Sequence, residues 1–318
     1  MISVKNLTKI YKIYKKTGNI FTDLFFRQYK DLVALDDVSF EIEDNELVSF
    51  IGPNGAGKTT TLKILSGILY PDRGKINING FYPFDKKKEF LRQITFVMGQ
   101  KSQLFWDLPA IDTFLLNKEI YQINDNQFKK TLDNLTNILN CQNLINKPVK
   151  MLSLGERMKM EFIAALLHSP KIAFLDEPTI GLDIFSQEAI RSFIKSYQKE
   201  FKATIILTSH YLEDVKKLAK RMLIINQGKI IYDGKLTDII KKFSQNKYIT
   251  LNLDKEIDKK NLEKIALIAQ YQYPKVVFQV KKDDLPEKIA IISKNIPYTD
   301  ITIEDEKIEE IIKKIYKK

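Results

Sequence analysis

The chain has 318 residues, 44% hydrophobic and 29% charged, with 51 lysines and arginines against 40 aspartates and glutamates for a formal net charge of +11. This composition excludes disorder, a collagen-like repeat and a fibrous coil for the whole, and the length suits one domain of about 230 residues plus a small one. The basic balance raises nucleic acid and anionic lipid as partners, yet no basic tail emerges: runs such as Lys86-Lys87-Lys88 lie between Asp85 and Glu89, as on a solvated face.

Leu7-Thr-Lys-Ile-Tyr11 reads as part of an amino-terminal strand. The segment at about 13–33 is an insertion before the strand Ser39-Phe-Glu-Ile42. Within it Phe21, Leu24, Phe25 and residues 28–29 trace one face of a short helix, beside Lys15, Lys16, Arg27 and Lys30. Such a helix either lies against a membrane or partner or packs on the protein's own sheet. Next comes the apolar strand Glu46-Leu-Val-Ser-Phe-Ile51, then Gly52-Pro-Asn-Gly-Ala-Gly-Lys-Thr59, then a helix from Thr60 to Leu65. Strand, glycine loop and helix in that order satisfy G-x-x-x-x-G-K-[ST]. Gly52, Gly55 and Gly57 let successive backbone N–H groups turn inward on phosphate oxygens, and the helix adds its positive dipole end. Pro53, Asn54, Ala56 and Thr60 complete the cradle. Lys58 brings a point charge to the β- and γ-phosphates, and the Thr59 hydroxyl is placed to ligate Mg²⁺.

Beyond the strand Ile94–Met98 stands Gln100, followed by a stretch with the chain's sole tryptophan, Trp106, which fits an interface anchor and a core residue equally. Mainly helical patterns follow, such as Phe128 to Leu139 with apolar residues at 128, 132, 135, 138 and 139. Met151-Leu-Ser-Leu-Gly-Glu-Arg157 opens another helix, with Ser153 as N-cap and Glu156 three residues on, a capping-box spacing. The buried strand Ile172-Ala-Phe-Leu175 runs into Asp176-Glu177, so two carboxylates emerge at a strand's carboxyl end, where α/β sheets bind ligands. Asp176 would hold Mg²⁺ through its water shell. Glu177, taken to point to the other side of the pleat, would reach the water attacking the γ-phosphate. The strand Ala203–Ser209 delivers His210 in the same manner, as a γ-phosphate sensor.

In this order the motifs resemble the nucleotide-binding subunit of an ABC transporter, of the ABC-2 type generally associated with export. The resemblance covers residues 1–236. It implies that Tyr11 stacks on adenine and that Gln100 touches Mg²⁺ and relays nucleotide state to the membrane partner. It also implies that Ser153, Gly155 and Glu156 of one subunit close over the ATP held by a second copy or a related cassette. Gly181-Leu-Asp183 is similar to the loop that meets the opposing subunit. Two departures stand out: Leu154 where the family has a glycine and Glu156 where it has a glutamine.

The tail reads as strand 248–253, helix 262–269, strand 275–280, helix 286–293, strand 300–303 and helix 307–316. The expected fold is therefore α/β: a P-loop NTPase ABC cassette over 1–236, with a mixed sheet core and a helical signature subdomain at about 101–165, plus a small C-terminal α+β domain over 237–318. No window approaches the ~18 consecutive apolar residues of a spanning helix, and lysine-rich Met1–Lys16 has no apolar signal region. The lone Cys141 and the well-separated His168 and His210 leave neither an intrachain disulfide nor a Cys/His zinc cluster. The expectation is an ATP- and Mg²⁺-dependent ATPase on the cytoplasmic face of the membrane, bound to permease chains, with no nucleic acid partner. A soluble ABC-fold ATPase of ribosome or DNA and a non-hydrolysing regulatory cassette are the alternatives.

Overall fold

The computed structural model describes residues 1–15, 28–209, 211–306 and 308–316, and divides into two compact units, Met1–Gly234 and Lys235–Lys318. In the first, β1 (Ile2–Lys15) and β2 (Gln28–Ile42) form a long antiparallel ribbon, with β3 (Leu47–Ile51) following. The remaining elements are α1 (Lys58–Leu65), β4 (Arg73–Ile78), α2 (Lys88–Leu91), β5 (Ile94–Met98), α3 (Ala110–Tyr121), α4 (Asp125–Leu139), α5 (Leu154–Leu166), β6 (Ile172–Asp176), α6 (Ile184–Phe201), β7 (Thr204–Ser209), α7 (Leu212–Leu218), β8 (Arg221–Asn226) and β9 (Lys229–Lys235).

Two sheets result. The smaller has the order β2-β1-β4, and the larger β5-β6-β7-β3-β8-β9, in which β5 through β8 run parallel. All five residues of β3 are buried, because β7 and β8 flank it and apolar layers cover both faces. On one side Ile2, Val4, Leu35, Phe40, Val48, Phe50, Leu62 and Phe174 join the two sheets in one cluster. On the other, Leu175, Ile205, Phe193 and Tyr197 meet Phe162 of α5 and Leu135 of α4. Thus the helical region between Gln100 and β6 packs on the sheet through α5, whose core-facing residues include Met158, Phe162 and Leu166. Helix α4 is cut to length at its start by Asn124, whose side chain accepts from the Gln127 N–H at 2.8 Å.

Parallel order puts the loops after β3, β6 and β7 side by side at the carboxyl ends of adjacent strands. That adjacency builds the site below.

The insertion departs from expectation where it is described. Residues 16–27, which include Phe21, Leu24, Phe25 and Arg27, lie outside the described residues, but Tyr29 and Lys30 belong to β2 and not to a helix. Tyr29 pairs across the ribbon with Tyr14, ring centroids 6.3 Å apart, while Ile13, Leu32 and Val33 stay exposed. Cross-strand pairing with β1 outweighs the short helical period.

The second unit starts with α8 (Leu236–Phe243), which the sequence reading did not anticipate, and β10 (Asn246–Leu253). There follow α9 (Lys259–Glu263), β11 (Leu267–Gln272), β12 (Lys275–Lys281), α10 (Leu285–Asn295), β13 (Tyr298–Asp305) and α11 (Ile308–Tyr316). Its antiparallel sheet has the order β11-β12-β10-β13, with Ile249, Leu251, Val276, Phe278 and Ile292 at its core. The expected helix over 262–269 is a correction: helix α9 ends at Glu263, and Leu267 opens an edge strand. Leu262, Ile265 and Ile268 fall at three-residue spacing and mimic a helix. However, the residues that follow pair with β12, and the Tyr271 hydroxyl donates to the Ile257 carbonyl at 2.7 Å, so hairpin closure decides the conformation.

Candidate functional site

A cavity of about 500 Å³ opens where β3 hands over to α1. Asn54, Gly55, Lys58, Thr59, Gln100, Asp176 and Glu177 are among its walls. The loop takes its shape from left-handed glycines: Gly55 has φ +79° in open space, so conformation alone demands glycine there. Gly57 has φ +112°, and a Cβ on it would also fall 2.6 Å from the Ala34 carbonyl oxygen and 2.7 Å from a Leu35 methyl.

Lys58 is nearly buried, its ammonium donating to the carbonyls of Gly52 at 2.6 Å and Pro53 at 3.1 Å. Burial pulls its pKa down from the usual lysine value, while the charges of Glu177 and Asp176 pull it back up. The Glu177 carboxylate lies 4.0 Å from the ammonium. The Thr59 hydroxyl meets both Asp176 carboxylate oxygens at 2.9 Å. A hydroxyl, a carboxylate and the nearby Gln100 amide form an oxygen-only donor set beside a phosphate cradle, which fits a hard divalent cation such as Mg²⁺. Among the described residues no cluster of three or more His, Cys, Asp or Glu forms a metal site by itself.

Glu177 corrects one step of the sequence argument. It lies beyond the end of β6 in the left-handed region, φ +50°, so strand pleating does not set its direction. It faces the same cavity as Asp176. Its backbone N–H is held by the Thr208 hydroxyl at 3.0 Å and the Thr208 carbonyl at 3.1 Å, which fixes a conformation that is costly for a non-glycine residue. The same Thr208 hydroxyl donates to Asp176 at 2.6 Å. Sequence reasoning passed over Thr208; its place one residue before the end of β7, level with Asp176 across the sheet, was the available signal. His210 lies outside the described residues.

The Tyr11 hydroxyl stands 3.5 Å from the Thr60 hydroxyl oxygen, at the first turn of α1. Ser153, Gly155 and Glu156 are not brought to this cavity. They head α5 in a complete capping box: Glu156 N–H donates to the Ser153 hydroxyl at 3.3 Å, and Ser153 N–H donates to the Glu156 carboxylate at 2.9 Å. That backbone bond, foremost, keeps the Glu156 carboxyl below its usual pKa. Ser153 is exposed, and Gly155 is buried against Ser186, whose hydroxyl would collide with any Cβ at that position. Glu156 thus has a structural task that a glutamine would share, whereas Leu154 is exposed, with one methyl 3.4 Å from where a Cβ on Gly181 would stand.

Three further groups escaped the sequence reading. Asp214 on α7 is fully buried and accepts from Thr179 at 2.7 Å, from Ser209 at 2.6 Å and from the Arg191 guanidinium at 2.6 Å. It ties the loop after Glu177 to the end of β7. Breaking such a buried pair costs about 3–5 kcal/mol, so Asp214→Ala should lower the denaturant midpoint sharply, and a midpoint unchanged from wild type would remove Asp214 from this role. Buried Glu161, on α5, is the third, after Arg191; burial pushes its carboxyl pKa up, opposed by hydrogen bonds from Ser102 and the loop behind it. His168 is stacked on Tyr121, ring centroids 3.8 Å apart, and burial lowers its pKa to about 4, so it is a neutral packing residue. Trp106 is 51% exposed, with the Arg157 guanidinium 5.8 Å from its ring centroid; it is no core residue.

Comparison with known proteins places these features in company. The family described as ABC transporter matches residues 35–180. An uncharacterized ABC transporter ATP-binding protein of Methanocaldococcus jannaschii is 33% identical over 223 residues, covering 70% of this chain and 80% of the relative. The bacitracin transport ATP-binding protein BcrA of Bacillus licheniformis is 33% identical over 232 residues, covering 73% and 74%. Among solved structures, the dimeric bacterial ABC transporter cassette MJ0796 superposes with TM-score 0.61 at 25% identity, over 74% of this chain and 99% of that one.

Proposed function

Since the chain belongs to the ATP-binding subunits of ABC transporters and is an ATPase of that class, we propose that it energises an exporter whose membrane-spanning chains are separate polypeptides. Among the described residues no helix is long and apolar enough to cross a membrane. In this reading the chain sits on the cytoplasmic face through its permease partners. The relation to a bacitracin transport ATP-binding protein supports a transport role.

The observation that carries the two-cassette part of this reading is the position of Ser153: exposed, capping α5, and absent from the walls of the chain's own P-loop cavity. A helix N-terminus headed by the exposed Ser153 offers its hydroxyl and dipole end to a γ-phosphate, with Gly155 and Glu156 shaping the turn behind it, and a second copy supplies it by closing over the cavity. Each of two composite sites then has Tyr11 against the adenine and the loop Gly52, Pro53, Asn54, Gly55, Ala56, Gly57 with Thr60 around the phosphates. Lys58 donates to the phosphate oxygens. Thr59, Asp176 and Gln100 would hold Mg²⁺, which when bound neutralises charge on the β- and γ-phosphates. Glu177 orients the attacking water and accepts its proton, and His210 contacts the γ-phosphate.

The test is purification of the tagged Glu177→Gln chain from detergent-solubilised membranes of its own host. A stoichiometric polytopic membrane protein is the expected companion. Recovery in the soluble fraction with ribosomes or DNA would leave the ATPase chemistry standing and overturn the transport role.

A further inference from the structure

We infer that Glu161 is a positioning residue that locks the loop after Gln100 onto the helix headed by Ser153, so that the two move as one lever. The inference rests on the composite-site reading above.

Glu161 is 3% exposed, on the face of α5 turned toward that loop. Its carboxylate accepts from the Ser102 hydroxyl and from the Gln103 N–H at 3.1 and 3.0 Å. Ser102 in turn accepts from the Leu104 N–H at 3.2 Å, so three consecutive loop residues organise around one buried carboxylate. Further contacts join the same two segments. One turn earlier on α5, Arg157 faces the Trp106 ring. Ahead of the helix, the Lys150 N–H donates to the Trp106 carbonyl at 2.9 Å and the Val149 N–H to the Leu108 carbonyl at 3.0 Å. Lys150 also pairs with Asp107 at 3.1 Å, but both are largely exposed and contribute little.

Among the polar and charged side chains that join the two segments only Glu161 is buried, and that sets its weight. A carboxylate withdrawn from water needs its donors, and the loop supplies them only in this conformation. Gln100 stands two residues before Ser102 on the wall of the nucleotide cavity, and Ser153 stands eight residues before Glu161, about 12 Å along a rigid helix. A shift of Gln100 on nucleotide binding therefore reaches Ser153 through the Glu161 clamp. Without it, ATP still binds the P-loop, but Ser153 is no longer held in step.

The experiment uses the full chain as wild type, Glu161→Gln, Glu161→Ala and Ser102→Ala. The sole tryptophan, Trp106, lies within the clamped loop, so its acrylamide quenching reports the loop directly, with and without Mg-ATP. In Glu161→Ala quenching should rise and kcat should fall about tenfold or more, as misplacement of catalytic groups does, while ATP affinity stays within about twofold because the P-loop is untouched. Glu161→Gln keeps an accepting oxygen and should recover most of both, with Ser102→Ala in between. Wild-type quenching and kcat in folded Glu161→Ala would overturn the inference. So would a Gln variant as impaired as Ala with activity lost in proportion to thermal stability. If Glu161→Ala does not fold, Ser102→Ala decides, since it removes only an exposed loop-side arm, and unaltered quenching and kcat there would sink the clamp. Wild-type protein that fails to hydrolyse ATP would count against the function instead, leaving the quenching series to judge the clamp.

Discussion

Glu177→Gln is expected to bind ATP as wild type does, to lose about 10²–10⁴-fold in hydrolysis, and to accumulate as an ATP-bound dimer. The substitution keeps size and shape, and the backbone hydrogen bonds from Glu177 to Thr208 that hold its left-handed conformation do not involve the side chain. What disappears is the carboxylate charge 4.0 Å from the Lys58 ammonium, the group we propose takes a proton from water inside the cavity. Binding should survive because removing a negative charge beside the phosphates does not weaken their attraction to Lys58. In the proposed cycle a closed dimer then stays closed longer, since opening is taken to follow hydrolysis. Phosphate release and size-exclusion profiles with Mg-ATP check both halves. Wild-type turnover in this variant would remove Glu177 from the catalytic role.

Lys58→Ala should act at the other end of the cycle. Loss of a charge-assisted bond to phosphate costs about 2–3 kcal/mol, roughly 30–150-fold in ATP affinity. The stability of the unliganded chain should change little, because burial already disfavours the charged ammonium, as its lowered pKa shows. The thermal midpoint without nucleotide would therefore stay near wild type, while its upward shift with Mg-ATP, set by affinity, largely vanishes. Lys58→Arg should not rescue binding: the side chain is almost fully enclosed by the loop and donates to the Gly52 and Pro53 carbonyls, a space made for a compact ammonium and not a planar fork. An unliganded midpoint falling as far as affinity would show that Lys58 is chiefly structural.

The two variants separate what the geometry joins. Lys58 is linked to the loop proposed to hold phosphate and Glu177 to the strand ends proposed to position water, and the two meet across 4.0 Å. A chain impaired only in affinity and one impaired only in turnover would establish those as distinct tasks.

Sequence by itself determined the strand–glycine loop–helix unit, the carboxylate pair after a buried strand and the capping box at Ser153. All three are local: each depends on residue types within a few positions, where φ, capping and apolar runs act directly. The order of motifs likewise carried the family, which the similarity to ABC transporter ATP-binding proteins bears out. Only the tertiary structure decided what depends on distant partners. Glu177 turned into the cavity because Thr208, from another strand, fastens its backbone. Residues 267–272 became an edge strand because β12 was there to pair with, although the apolar spacing just before suggested a helix. Asp214 and Glu161 look like ordinary acidic helix residues in the sequence, where nothing distinguishes a buried carboxylate from a solvated one. Their roles appear once Thr179, Ser209 and Arg191 converge on the first and Ser102 and Gln103 on the second, because burial and hydrogen-bond supply are properties of the assembled fold.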